Sequence, residues 1–174
     1  MKLNEKQLKE IEENGYVILP DCFSNEEVNN LRKAMTTVFK EKTEANIIEK
    51  SSGVVRTAMG LHLRSKIFDD LTRHPKFFEP ACQIRGHNLY IQQTKINVKA
   101  AFTGEVWQWH YDFATHFGED GVPKPLALNL HVFLDDVTEF NGPLFFIPKS
   151  HKYGSAPSKL DTVTTNYPLW VVDQ

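Results

Sequence analysis

Trp109-His110-Tyr111-Asp112-Phe113 sets an imidazole and a carboxylate two residues apart, within an aromatic-rich stretch from Tyr90 to His151. In an extended chain, residues two apart project to the same face. His110 and Asp112 would then offer a nitrogen and an oxygen to one point in space. These are two of the three donors of the 2-His-1-carboxylate face, which holds non-heme iron(II) and leaves coordination positions open. A His-x-Asp pair is a weak signal by itself, since a chain with seven histidines yields one by chance about 0.4 times. The flanking Trp107, Trp109 and Phe113 strengthen it, because aromatic walls would give a metal a dry, shaped cavity. The spacing alone leaves open a hydrogen-bonded strand histidine.

The elements that must position this pair are readable from capping and periodicity. Asn4 with Gln7 forms a capping box that opens a helix, and Gly15 closes it. Tyr16 to Leu19 reads as a buried strand ending at Pro20. Ser24-Asn25-Glu26-Glu27 starts a second helix with an acidic first turn. Its apolar stripe is Val28, Leu31, Met35, Val38 and Phe39. Glu41 to Gly53 is polar and reads as a mobile loop. Short helices are expected over Ser65 to Thr72 and Pro75 to Ile84, the latter ending at Arg85-Gly86. From Leu89 the period changes to two, predicting a strand with a polar face through Val98. Further strands are expected over Trp107 to Phe113, Leu126 to Leu134 and Leu144 to Ile147, with turns at Gly118 to Pro123 and Asn141-Gly142-Pro143. Helices first and strands afterwards predict an α+β chain with helices packed on a sandwich or jelly-roll core.

A length of 174 residues with 41% hydrophobic and 24% charged residues suits one domain with a sizeable core. A net charge of -2 gives no electrostatic footprint for nucleic acid or an anionic membrane. No apolar run is long enough to span a bilayer, and the N-terminus lacks the apolar stretch of a signal peptide. Cys22 and Cys82 lie in no CxxC pattern, which predicts two reduced thiols in a cytoplasmic protein.

Several stretches together resemble one family. They are Gln93-Thr94-Lys95-Ile96-Asn97, Phe102-Thr103-Gly104, Trp107 to Phe113, Glu119 to Pro123, and Asn141-Gly142-Pro143-Leu144 through Pro148-Lys149-Ser150-His151. The likeness is to the phytanoyl-CoA dioxygenase family, in particular its ectoine hydroxylases and free-amino-acid hydroxylases. Asn14 to Pro20 and Arg85-Gly86 fit the same pattern, so the resemblance covers nearly the whole chain. It implies an iron(II)- and 2-oxoglutarate-dependent oxygenase on a double-stranded β-helix, acting on a small molecule with O2. It implies one oxygenase domain over 1–174, with a helical part over 1–87 and a β-helix part over 88–174. His110 and Asp112 match iron ligands. Asn97 and Trp107 match positions that contact 2-oxoglutarate, with Gln93 lining the same cavity and Asn129 counted among the co-substrate residues. Lys95 and His116 stand where ectoine hydroxylases carry an arginine and a tryptophan, so the ring of ectoine should lose its stacking partner. Arg56 is a candidate anchor for a substrate carboxylate, because a guanidinium binds it bidentately.

The resemblance also implies a distal histidine as third iron ligand and an arginine for the far carboxylate of 2-oxoglutarate. Both should lie downstream of the Asn-Gly-Pro turn, and neither segment is found before Gln174. The chain is therefore expected to be a C-terminally truncated piece of a longer enzyme, missing its last strands. His116 or His131 completing the triad is the competing possibility. The competing function is a catalytically inactive β-domain that binds only a small molecule or a partner, since two ligands hold iron weakly.

Overall fold

The computed structural model describes residues 1–50, 52–99, 109–152 and 170–171. Its contacts divide into two compact units. One comprises Met1–Lys2, Leu19–Ala100 and Leu130–Asp136; the other comprises Leu3–Ile18, Ala101–Asn129 and Val137–Gln174.

The first unit is built on α2 (Asn25–Phe39). Ser24 accepts the Glu27 N–H, and the Glu27 carboxylate accepts the Ser24 N–H, closing the expected capping box. Leu31, Ala34 and Val38 recur at helical spacing and are buried against Ala58, Leu61 and Phe68. Leucine, valine and phenylalanine side chains contribute roughly 1.5–3 kcal/mol each when fully buried. Met35, Phe39, Val55, Leu71, Ile96, Val132 and Leu134 pack around that core. The helices α3 (Leu61–Arg64), α4 (Lys66–Thr72) and α5 (Pro75–Arg85) follow, the last two near the expected bounds.

A three-stranded antiparallel sheet, ordered β1-β2-β3, completes this unit: β1 (Asn46–Ile48), β2 (Val55–Met59) and β3 (Lys95–Asn97). The polar segment after α2 is thus not a loop throughout. Asn46 is buried at the head of β1, where its amide donates to Val38 O and Glu41 O, both at 2.9 Å. Arg64 donates to Asn46 Oδ1 at 2.9 Å, Val38 O at 3.1 Å and Met59 O at 2.9 Å, and pairs with Glu41 at 2.9 Å. One guanidinium so joins the end of α2, both strands and α3. The strand expected from Leu89 contracts to three residues. Leu126 to Leu134 forms no strand: Arg32 donates to Leu134 O and pairs with Asp135 at 3.2 Å, so a side chain serves that backbone where a sheet partner was expected.

In the second unit, α1 (Glu5–Asn14) carries the Asn4/Gln7 capping box and ends at Gly15, with φ of 90°. Tyr16 to Leu19 is half-buried but not a strand. Tyr16 stacks on Phe146 at 5.0 Å, and Asn14 O accepts the Lys149 N–H at 2.9 Å. His151 Nε2 lies 3.1 Å from Glu12 O, so the Pro-Lys-Ser-His turn is fastened to the carbonyl end of α1. β4 (Phe145–Phe146) pairs antiparallel with β5 (Trp170–Val171), a short version of the strand expected over Leu144 to Ile147.

Candidate metal centre

His110 and Asp112 do meet, although not on a strand. The extended backbone stops at Tyr111, which caps α6 (Asp112–Glu119), and Asp112 is the first helical residue. A carboxylate in the first turn is favoured by the helix macrodipole and by the free N–H groups there. This corrects the strand expected through Phe113; Trp107 and its role lie outside the described residues. The side chains converge all the same, with His110 Nε2 3.1 Å from Asp112 Oδ1.

That separation permits a test of fit. Cis donors around an octahedral first-row metal with bonds near 2.1 Å stand about 3.0 Å apart. This spacing suits a neutral imidazole nitrogen and a carboxylate oxygen as adjacent donors to one metal ion. The other carboxylate oxygen is occupied: the Asn129 side-chain N–H donates to Asp112 Oδ2. This hydrogen bond sets the rotation of the carboxylate and leaves Oδ1 toward His110. Outer partners of this kind orient metal ligands in many sites. Asn129 was expected among the co-substrate residues, and the geometry gives its amide to the carboxylate.

The hydroxyl of Tyr111 donates to Ser150 O at 2.5 Å, pinning the residue between the two donors to the turn that α1 also holds. Trp109 meets Phe145 edge-on at 6.5 Å, and Phe113 packs on Phe117 at 5.8 Å. The pair itself is half-exposed, at 53% for His110 and 41% for Asp112. Among the described residues, Trp109 and Phe113 flank it without sealing it.

His116 lies one turn further along α6, with Nδ1 2.7 Å from Asp120 Oδ2. Among the described residues no group of three or more His, Cys, Asp or Glu could hold a metal ion, and His116, in the same unit as the pair, does not complete a triad.

The remaining candidates belong to the first unit. Asn97 and Lys95 lie on β3 opposite Thr57 and Met59 of β2, so strand alternation puts their side chains on one face. Gln93 precedes β3, next to Thr94, whose hydroxyl is 2.7 Å from His62 Nδ1 and whose carbonyl accepts the Gly60 N–H at 2.8 Å. Gly60, with φ of 66°, makes the left-handed link from β2 to α3 that this attachment requires. Arg56 immediately precedes Thr57, at the irregularity where the β1–β2 register shifts, and its carbonyl accepts the Val98 N–H at 2.8 Å.

These features define a helix-and-sheet protein with a His-x-Asp donor pair at a helix start. The phytanoyl-CoA dioxygenase (PhyH) model matches residues 11–171, and the chain belongs to that family. It is 38% identical over 140 residues to the L-proline trans-4-hydroxylase of Streptomyces griseoviridis, covering 80% of this chain and 52% of that enzyme. It is 36% identical over 154 residues to the ectoine dioxygenase of Bordetella bronchiseptica, covering 86% and 50%. Crystal structures of EctD from S. alaskensis, one with bound Fe and one with 2-oxoglutarate and 5-hydroxyectoine, superpose with a TM-score of 0.81 at 32% identity. That match covers 86% of this chain and 54% of EctD. The chain spans about half the length of the curated relatives it matches.

Proposed function

We propose that this chain carries part of the active site of an iron(II)- and 2-oxoglutarate-dependent dioxygenase that hydroxylates a small zwitterionic substrate, a free amino acid or a derivative of one. The observation that carries this reading is the 3.1 Å approach of His110 Nε2 to Asp112 Oδ1, the spacing of adjacent metal donors. The donor pair, the family membership and relatives named as hydroxylases of an amino acid and of ectoine agree on it.

Iron(II), when bound, supplies the oxygen activation that is coupled to decarboxylation of 2-oxoglutarate to succinate. The residues do the rest. His110 and Asp112 hold the ion, and Asn129 keeps the Asp112 carboxylate turned so that a single oxygen is presented. Asn97 donates its amide N–H to the co-substrate, with Gln93 and Trp107 as further contacts. Lys95 offers a cation to a substrate carboxylate, and His116 lines the substrate side. Arg56 is a further candidate anchor for a substrate carboxylate. With Lys95 and His116 replacing the arginine and tryptophan of ectoine hydroxylases, a proline-like amino acid suits the site better than ectoine. The double-stranded β-helix of the family, with the N-terminal helices packed on it, is the framework we propose, as a single oxygenase domain. O2 and the substrate are its small-molecule partners. Among the described residues no helix is long and apolar enough to cross a membrane.

The test is product analysis. The protein, expressed from its natural reading frame, is incubated with iron(II), ascorbate and 2-oxoglutarate across a panel of free amino acids, L-proline and ectoine. One substrate gaining a single oxygen, with matching succinate, supports the reading. Absence of any oxygenated product and of succinate above background refutes it and favours a domain that only binds a small molecule or a partner.

A further inference from the structure

Thr57 is almost fully buried, at 6% exposure, and is the Cα partner of Asn97 across the β2–β3 ladder. Its hydroxyl donates to Asn97 Oδ1 at 3.1 Å. A buried hydroxyl needs a partner, and this one takes it from the side-chain amide of its neighbour. An asparagine amide has one accepting end and one donating end. With Thr57 donating to the oxygen, Nδ2 with its two N–H groups is the end pointing away from the ladder. Asn97 is itself exposed, so its donating end lies where a ligand can reach it.

From this geometry we infer that Thr57 is a positioning residue for co-substrate binding: it fixes the rotation of the Asn97 amide so that N–H groups, and not a carbonyl oxygen, face the anionic 2-oxoglutarate. The inference rests on the proposed role of Asn97. An amide free to turn would present its oxygen to a carboxylate part of the time, and that orientation repels the ligand. Thr57 touches no ligand and acts only through Asn97. The alternation that puts Thr57 and Asn97 on one face also puts Ala58 and Ile96 into the core on the other, so packing holds the register that the hydrogen bond requires.

The experiment is a double-mutant cycle on 2-oxoglutarate affinity, measured by isothermal titration of the protein loaded with Mn(II) as a redox-silent ion. Thr57→Val keeps the side-chain shape and removes the donor; Thr57→Ser keeps the donor. We expect Thr57→Val to weaken 2-oxoglutarate binding by about fivefold and Thr57→Ser by less than about twofold. Asn97→Ala should weaken it by about tenfold, and adding Thr57→Val to Asn97→Ala should cost nothing further. If Asn97→Ala weakens binding while Thr57→Val does not, or if the two effects add, Thr57 does not act through Asn97 and the inference fails alone. If Asn97→Ala leaves affinity unchanged, or the unmodified protein binds no 2-oxoglutarate, the co-substrate role of Asn97 fails and takes the inference with it.

Discussion

His110 Nε2 and Asp112 Oδ1 stand 3.1 Å apart across a change of backbone, the first on extended chain and the second opening a helix. The carboxylate owes its orientation to Asn129, which donates to Oδ2. Asn129→Ala should weaken Mn(II) or iron(II) binding about 10–100-fold while leaving the helical circular dichroism unchanged, as expected for an outer partner of a metal ligand. Metal affinity equal to that of the unmodified protein would show that the carboxylate is oriented by something else.

Arg64 is the bond between elements in the first unit. Its side chain is 13% exposed and reaches the backbone of α2, β2 and the side chain of Asn46. Arg64→Leu leaves Met59 O and Asn46 Oδ1 without that donor, while Val38 O keeps the Asn46 amide. A loss of about 3 kcal/mol in unfolding free energy is expected from denaturant titration. A loss below about 1 kcal/mol would mean that other donors replace it.

Gly15 ends α1 at a φ of 90°, and a Cβ built there would lie 2.5 Å from His151 Nδ1. Gly15→Ala therefore combines a left-handed backbone penalty with a clash. It should lower stability by about 1–2 kcal/mol, and His151→Ala added to it should restore part of that loss. Thermal unfolding of both variants checks this, and an unchanged midpoint for Gly15→Ala would contradict the close packing of the turn on α1.

Glu27 is held at a pKa of about 2, chiefly by the Lys76 ammonium, which donates at 2.8 and 2.9 Å, and then by the Ser24 N–H. A carboxyl whose pKa is lowered in the fold contributes stability that is complete above its unfolded value, near 4.5, and is lost as pH falls toward about 2. Glu27→Gln should lower stability at neutral pH and flatten the acid limb between these values. Parallel pH–stability curves for the two proteins would remove Glu27 from the account.

The sequence made some of this legible because the signals were local. Asn4 with Gln7 and Ser24 with Glu27 place donor and acceptor three residues apart, and both capping boxes form as read. The convergence of His110 and Asp112 was also legible, though for the wrong reason. Alternation along a strand was assumed, whereas the helix start at Asp112 turns the carboxylate back toward the imidazole. β1 was hidden because what holds Asn46 in place, Val38 O and Arg64, is distant in sequence or belongs to the backbone. Leu126 to Leu134 has the composition of a strand, yet Val132 and Leu134 supply side chains to the core of α2 without joining a ladder. Hydrophobic pattern alone cannot separate those outcomes, because both bury the same residues. The hydrogen bond from Asn129 to Asp112 is not legible either, since nothing in the chain marks which acceptor an amide will serve.

The most direct test of the central claim is iron-dependent conversion of 2-oxoglutarate to succinate by the protein from its natural reading frame, beside His110→Ala and Asp112→Ala. Turnover is expected in the unmodified protein, with at least about a 100-fold loss in each variant and unchanged circular dichroism in all three. Equal succinate formation by the variants and the unmodified protein would show that His110 and Asp112 do not hold the iron.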